Sequence, residues 1–331
     1  MRLATYNVEW FHRLFDDAGH ILDDGAWSSR RDVTRAQQLH ALARVFRAMD
    51  ADGVMIIEAP DAHARRDGIA ALENFAARFD LRARKAVMGF VNETQQEIAF
   101  LYDPDVMSAQ HDPRDAGAPR FDETFRLDLD TDDFPDPVRW SKPPLELEVQ
   151  VKGGPRLRLI GVHAKSKAPH GATDPDAILR LSIENRRKQL AQCIWLRERV
   201  EAHLTAGDSV IVLGDFNDGP GLDEFEQLFG RSSVEVVLGE VGPTGLHDPH
   251  ARQVLAQRIG VSPSTARFYF APEHRYMEAM LDYIMLSPDL MARDPKWRIW
   301  HPFDDPECFH DRGMQQALLT ASDHFPVTVD L

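Results

Sequence analysis

The chain has 331 residues, 43% hydrophobic and 27% charged, with a formal net charge of -15. This is an ordinary globular composition, and the negative balance argues against a protein that coats duplex DNA through a broad basic surface. No stretch approaches the roughly 18 apolar residues of a membrane span, the N-terminus lacks signal-peptide features and two cysteines make no disulfide framework, so a cytoplasmic protein without membrane insertion is expected.

In chain order, Leu3 to Asn7 reads as a strand, and apolar residues at helical spacing predict an amphipathic helix over Arg30 to Met49. Asp50-Ala51-Asp52-Gly53 breaks that helix, and Val54 to Glu58 is a buried strand ending in an acid and stopped by Pro60. A helix over Ile69 to Phe79 precedes a strand pair, Ala86 to Val91 and Glu97 to Tyr102. From 103 to 144 the pattern degrades into Asp, Pro and Arg, an irregular excursion with one hairpin rather than a linker between domains. Leu145 to Val151 and Leu157 to Val162 flank the turn Lys152-Gly153-Gly154-Pro155. Ile178 to Leu204 is a long helix with Gly207 near its stop. Leu222 to Phe229 is a short helix, and Arg267 to Phe270, Leu281 to Leu286 and Phe325 to Leu331 are strands. No repeat or Ser/Gly-rich linker divides the chain, so 1–331 is read as one α/β or α+β domain with sheets packed between helices.

The organising stretch is Val210-Ile211-Val212-Leu213-Gly214-Asp215-Phe216-Asn217-Asp218. Its aliphatic run reads as a strand buried on both faces. Asp215 and Asn217, two apart, leave extended backbone on the same face. A carboxylate and a carboxamide there suit either a water- or metal-orienting site or a polar turn. The other strand ends weigh on the choice: Asn7-Val8-Glu9, Glu58, His163, Asp282 inside an apolar strand, and Ser322-Asp323-His324 before the last one. Each has a bland explanation alone. Together they favour a shared site, because buried charge is costly unless paired or metal-bound.

Thr5-Tyr6-Asn7-Val8-Glu9-Trp10, the strand ending in Glu58, Gly161-Val162-His163, Gly214-Asp215-Phe216-Asn217, Leu281-Asp282-Tyr283-Ile284 and Ser322-Asp323-His324 resemble, in order, the blocks of the endonuclease/exonuclease/phosphatase superfamily. The blocks run from the first strand to the last. The resemblance implies a four-layer α/β/β/α sandwich of two mixed sheets with helices outside, and cleavage of a phosphoester dependent on Mg²⁺ or Mn²⁺. It implies Glu58 as the principal metal ligand, with Asn7 beside it on the metal or the phosphate, and Glu9 and Asp323 completing the ligand shell or a second metal position. Asp215 then orients or deprotonates the attacking water and Asn217 holds Asp215 and the phosphate. His324 contacts the scissile phosphate, with Asp282 fixing its tautomer, and His163 helps protonate the leaving oxygen. The chain departs from many members at Ile57, where they carry Gln before the Glu. A catalytic tyrosine has only Tyr102 and Tyr269 as rough positional candidates.

Lys165 and Lys167 follow His163 at alternating positions, as a seat for a neighbouring phosphate or as solvated side chains. The basic stretch 156–199 beside His163 favours a polyanionic substrate, DNA or RNA, over the alternatives: a small-molecule or lipid-headgroup phosphate, inositol phosphate-like, or a catalytically silent binding protein on the same fold.

Overall fold

The computed structural model describes residues 1–63, 65–92, 94, 96–128, 135–169, 171–172, 174–221, 230–256, 262–270 and 274–331. The helix expected over Leu222 to Phe229 lies outside the described residues, as does part of the acidic excursion.

The strands are β1 (Arg2–Asn7), β2 (Gly53–Pro60), β3 (Lys85–Met88), β4 (Gln96–Tyr102), β5 (Met107–His111), β6 (Phe125–Leu127), β7 (Asp136–Val138) and β8 (Leu145–Val151). Then follow β9 (Arg156–His163), β10 (Val210–Asp215), β11 (Ala266–Phe270), β12 (Arg275–Ala279), β13 (Asp282–Leu286), β14 (Lys296–Ile299) and β15 (Val327–Asp330). The helices are α1 (Arg35–Met49), α2 (Gly68–Arg78), α3 (Pro175–Thr205), α4 (Ser233–Leu238), α5 (Pro249–Ala256), α6 (Pro288–Met291), α7 (Pro306–His310) and α8 (Arg312–Ala321).

Two mixed sheets face each other, one in the order β14-β15-β1-β2-β4-β3 and the other β13-β10-β9-β8-β5. Alternation along each strand builds the layers. In β10, Ile211 and Leu213 enter the core between the sheets, while Val210 and Val212 face the helical layer that contains Trp195 of α3. In β1, Leu3 points between the sheets, while Ala4 and Tyr6 meet α1, α2 and α8. The four-layer sandwich expected from the sequence is therefore observed.

Each sheet contains one parallel pair, β1 with β2 and β9 with β10. A parallel pair needs a helical crossover, and α1 and α3 supply them. The carboxyl ends of these four strands lie at the same edge of the sandwich, where ligands of α/β sheets characteristically bind. Antiparallel partners bring their opposite ends to that edge: Asp282 pairs with Asp215, and β15 begins beside β1.

Several boundaries differ from the sequence reading. Helix α1 begins at Arg35, not Arg30, because Thr34 forms a capping box with Gln37. Ser29 and Asp32 before it take positive φ, which breaks helical continuity. The excursion contains the expected hairpin, β6 with β7, and also β5, an edge strand of the second sheet. Strand β11 gains a partner, β12, and β14 is added at the other sheet's edge. No helix among the described residues is long and apolar enough to cross a membrane.

Candidate active site

A cleft of about 920 Å³ opens at this edge, lined among others by Asn7, Glu9, Glu58, His163, Lys165, Lys167, Asp215, Asn217, Asp323 and His324. Asp282 stands immediately behind His324, hydrogen-bonded to it.

Gly214 makes the Asp215 turn feasible. Its φ is 142°, and an added Cβ would come within 2.1 Å of the Val162 carbonyl, so only glycine fits beside β9. Three non-glycine residues lining the cleft, Trp10, Glu58 and Asn217, also hold positive φ, of 58°, 62° and 50°. At Glu58 the cause is a register shift between Ile57 and Ala59 against β4, a bulge that re-aims the carboxylate out of the ladder. Such conformations cost about 1–3 kcal/mol each and persist where the surroundings impose them.

The buried Asp215 carboxylate is the hub. Its Oδ2 accepts hydrogen bonds from Asn7 Nδ2 at 2.9 Å and Asn217 Nδ2 at 3.2 Å, and its Oδ1 accepts from the Asn217 backbone N–H at 2.7 Å. Burial pushes Asp215 up to about 7 against the opposing pull of His324, with Asp282 adding to the rise. His324 Nδ1 lies 2.7 Å from Asp282 Oδ2, which also accepts from Thr265 Oγ1. Burial disfavours the His324 charge, but Asp282, Asp215 and Asp323 outweigh it and raise His324 well above its ordinary value. His324 is thus an imidazolium, with Nε2 4.0 Å from Asp215. His163 is the opposite case. Burial, Lys142 and His324 together push it well below its ordinary value, so it stays neutral.

Oxygen donors gather on the other wall. Asn7 Oδ1 is buried without a hydrogen-bond partner, an arrangement that costs free energy unless a ligand completes it. Glu58 is raised by burial, with Lys142 countering and Asp323 adding to the rise. Glu9 is pushed up to about 7 by burial and by Asp323, against the opposing pull of Arg30. An all-oxygen set with one orphaned acceptor and mutually repelling carboxylates fits a hard divalent cation. Glu9 also pairs with Arg30, which ties it to the wall. Among the described residues, the one group of three acidic or histidine side chains whose ligand atoms all lie within 4.8 Å of one another is Asp215, Asp282 and His324, in which His324 Nδ1 is engaged by Asp282.

The two lysines part company. Lys165 lines the cleft and is lowered by burial and by Lys188 of α3, with Glu184 of the same helix opposing. Lys167 also reaches the cleft but pairs with Asp218, which is fully buried. Of the two tyrosines, Tyr269 lines the cleft, whereas Tyr102 stacks on Phe100 away from it.

Sequence reasoning missed four residues. Lys142 comes from the irregular excursion, and its ammonium lies 2.6 Å from Gln96 Oε1 and 3.1 Å from His163 Nδ1. Gln96 on β4 in turn donates to Glu58 at 2.5 Å, placing an amide against the acid that Ile57 cannot supply. Gln189 and Gln192 of α3 are buried. Gln189 Nε2 donates to the carbonyls of Lys165, Phe216 and Asn217, at 2.7, 3.1 and 3.0 Å. Gln192 accepts from the Lys165 N–H and donates to the Arg139 carbonyl. The two amides thereby hold together the loops that carry His163, Asp215 and Lys142. Gln189→Met keeps the volume but leaves three carbonyls without this donor, so kcat/KM is expected to fall about tenfold or more and stability by about 1–3 kcal/mol. Steady-state kinetics with thermal denaturation checks both; unchanged kinetics would show that Gln189 does not position the loops.

The sequence profile described as the Endonuclease/Exonuclease/phosphatase family matches residues 4–324. Curated proteins yield no match. Among solved structures, a truncated TDP2 from Caenorhabditis elegans is similar at 13% identity and TM-score 0.51, over 99% of this chain and 96% of that one. TDP2 of D. rerio complexed with single strand DNA product is similar at 14% identity and TM-score 0.52, over 99% and 97%. A mannosyl-6-phosphatase of Bacteroides thetaiotaomicron is similar at 16% identity and TM-score 0.50, over 100% and 98%.

Proposed function

The chain belongs to the Endonuclease/Exonuclease/phosphatase family, and from that premise we propose that it is a divalent-metal-dependent phosphodiester hydrolase acting on a strand of DNA or RNA. The observation that carries the nucleic-acid reading is the continuation of positive charge past the cleft: Lys142 and Lys165 line its interior, and Lys188 of α3 stands beside Lys165. A lone phosphate monoester needs no cation beyond its own pocket, whereas a strand presents further phosphates to Lys165 and Lys188. The two free, buried cysteines support a cytoplasmic location.

Asn7 and Glu58, with Glu9 and Asp323 beside them, would hold Mg²⁺ or Mn²⁺. Bound there, the ion supplies positive charge to the phosphoryl oxygens. Asp215, near 7, is poised to take a proton from an attacking water at neutral pH. Asn7 and Asn217 fix its orientation through their amides. The His324 imidazolium, held by Asp282, stabilises charge building on the phosphate. Neutral His163, which receives a contact from Lys142, offers a ring N–H as a hydrogen bond rather than the full proton expected from its sequence position. Lys142, whose ammonium lies 3.1 Å from His163 Nδ1, would supply positive charge to the leaving oxygen.

A panel with Mg²⁺ or Mn²⁺ tests the proposal: single-stranded and duplex DNA, RNA, a sugar phosphate, an inositol phosphate and a nitrophenyl phosphodiester. Nucleic-acid strands are expected to give the highest kcat/KM. Faster turnover of a sugar or inositol phosphate would replace this reading with the small-molecule one, which the charge of -15 and the phosphatase neighbour favour.

A further inference from the structure

Next to the cleft lies a second cavity of about 680 Å³, bounded by the 27–33 segment on one side and the β11–β12 hairpin on the other. Glu9, Phe268, Tyr269 and Asp323 line both, so they form the wall between the two spaces. The cleft combines Lys142, Lys165, Lys167 and His324 with the acids Glu9, Glu58, Asp215 and Asp323. The second cavity balances Arg30, Arg31 and Arg267 against Glu9, Asp32 and Asp323, and Trp27 and Tyr276 line it but not the cleft.

These planar groups form a ladder. The Arg31 guanidinium sits 3.6 Å above the Tyr269 ring. Tyr269 meets Tyr276 edge-on, with ring centroids 5.4 Å apart, and Arg267 covers Tyr276 at 3.9 Å. Trp27 stays 65% exposed although its indole N–H is anchored to the Arg30 carbonyl at 2.6 Å. An indole fixed by its edge and left bare on its face is a stacking platform, and the outer face of a stacked guanidinium is another.

We propose that this cavity is a nucleobase subsite, in which a base next to the scissile phosphate of a single strand stacks on Trp27 and Arg31. The inference rests on the nuclease reading and narrows it. Balanced charge suits a neutral base better than another phosphate. A base inside a duplex has both faces covered by its neighbours, so only an unstacked strand can present one to the cavity. The shared wall sets base and phosphate side by side, as successive parts of one nucleotide chain are.

The test separates base from phosphate by comparing a short oligothymidylate with an oligomer of abasic tetrahydrofuran units of equal length. Wild-type protein is expected to favour the base-bearing strand by about tenfold or more in kcat/KM, from stacking. Trp27→Ala, Arg31→Ala and Tyr276→Ala are expected to abolish that preference while cleavage of the abasic oligomer changes less than about twofold. Equal wild-type rates on the two strands, or variants that keep the preference, would overturn the subsite and leave the nuclease reading standing. Equal losses on both strands would mean that these residues act through the fold, which also overturns it. Failure of the wild type on both strands, with turnover of a sugar phosphate, would overturn the nuclease reading itself and this inference with it.

Discussion

Asp215→Asn is expected to lower kcat on a phosphodiester by about 10³-fold or more while leaving the protein folded. The carboxylate lies at the carboxyl end of β10, buried, with three amide donors converging on it. Asparagine keeps the shape but replaces one oxygen by a donor that must face Asn7, Asn217 or the attacking water. It therefore removes the proton acceptor and disturbs its alignment together. Stability should change little. The neutral amide escapes the burial penalty that lifts Asp215 to about 7, which offsets the mismatched donors. Single-turnover kinetics at saturating metal, with a thermal melt alongside, makes the measurement. Near-normal turnover, or loss of the fold, would show that Asp215 serves structure instead.

Glu58→Gln should act on the metal. Glutamine retains an oxygen that can accept from Gln96 Nε2, so the bulge at Ile57–Ala59 is expected to persist. What disappears is the negative charge a hard cation requires. Calorimetric titration should show Mg²⁺ affinity reduced by about tenfold or more, turnover should fall in parallel, and excess Mn²⁺ should restore part of it. Turnover that survives EDTA in the unaltered protein would remove the metal from the mechanism. Unchanged Mg²⁺ affinity in the variant would move the site away from Glu58.

The two substitutions probe opposite walls of one cleft, and the walls belong to different sheets. Glu58 and Asn7 end the parallel pair of the first sheet; Asp215 and His163 end that of the second. Asp282 and His324 enter from antiparallel partners. The site thus closes only when the sheets pack face to face through residues such as Leu3, Ile57, Leu213 and Ile284.

What the sequence determined by itself was the set of strand ends. Alternating or continuous apolar runs identify β1, β2, β9, β10 and β13 locally, and polar residues that terminate such runs are conspicuous because nothing in the strand explains them. Read in order, these blocks carried the resemblance to the endonuclease/exonuclease/phosphatase family, which the profile match over residues 4–324 bears out. Edge elements were less legible: β5, β12 and β14 are largely exposed or half-buried and carry no apolar run to mark them. Only the tertiary structure decided which polar side chains serve the cleft. Lys142 has no local pattern to mark it, and it reaches His163 and Gln96 because the excursion folds back over the second sheet. Gln189 and Gln192 look like ordinary polar positions of a long helix until that helix packs on three loops. Lys165 and Lys167 are equivalent by alternation, yet Asp218 from the next loop engages one of them. Asn7 and Asp215 hydrogen-bond across 208 positions. Periodicity is a property of neighbours in the chain, whereas hydrogen bonding, charge pairing and pKa depend on neighbours in space, and packing alone supplies those.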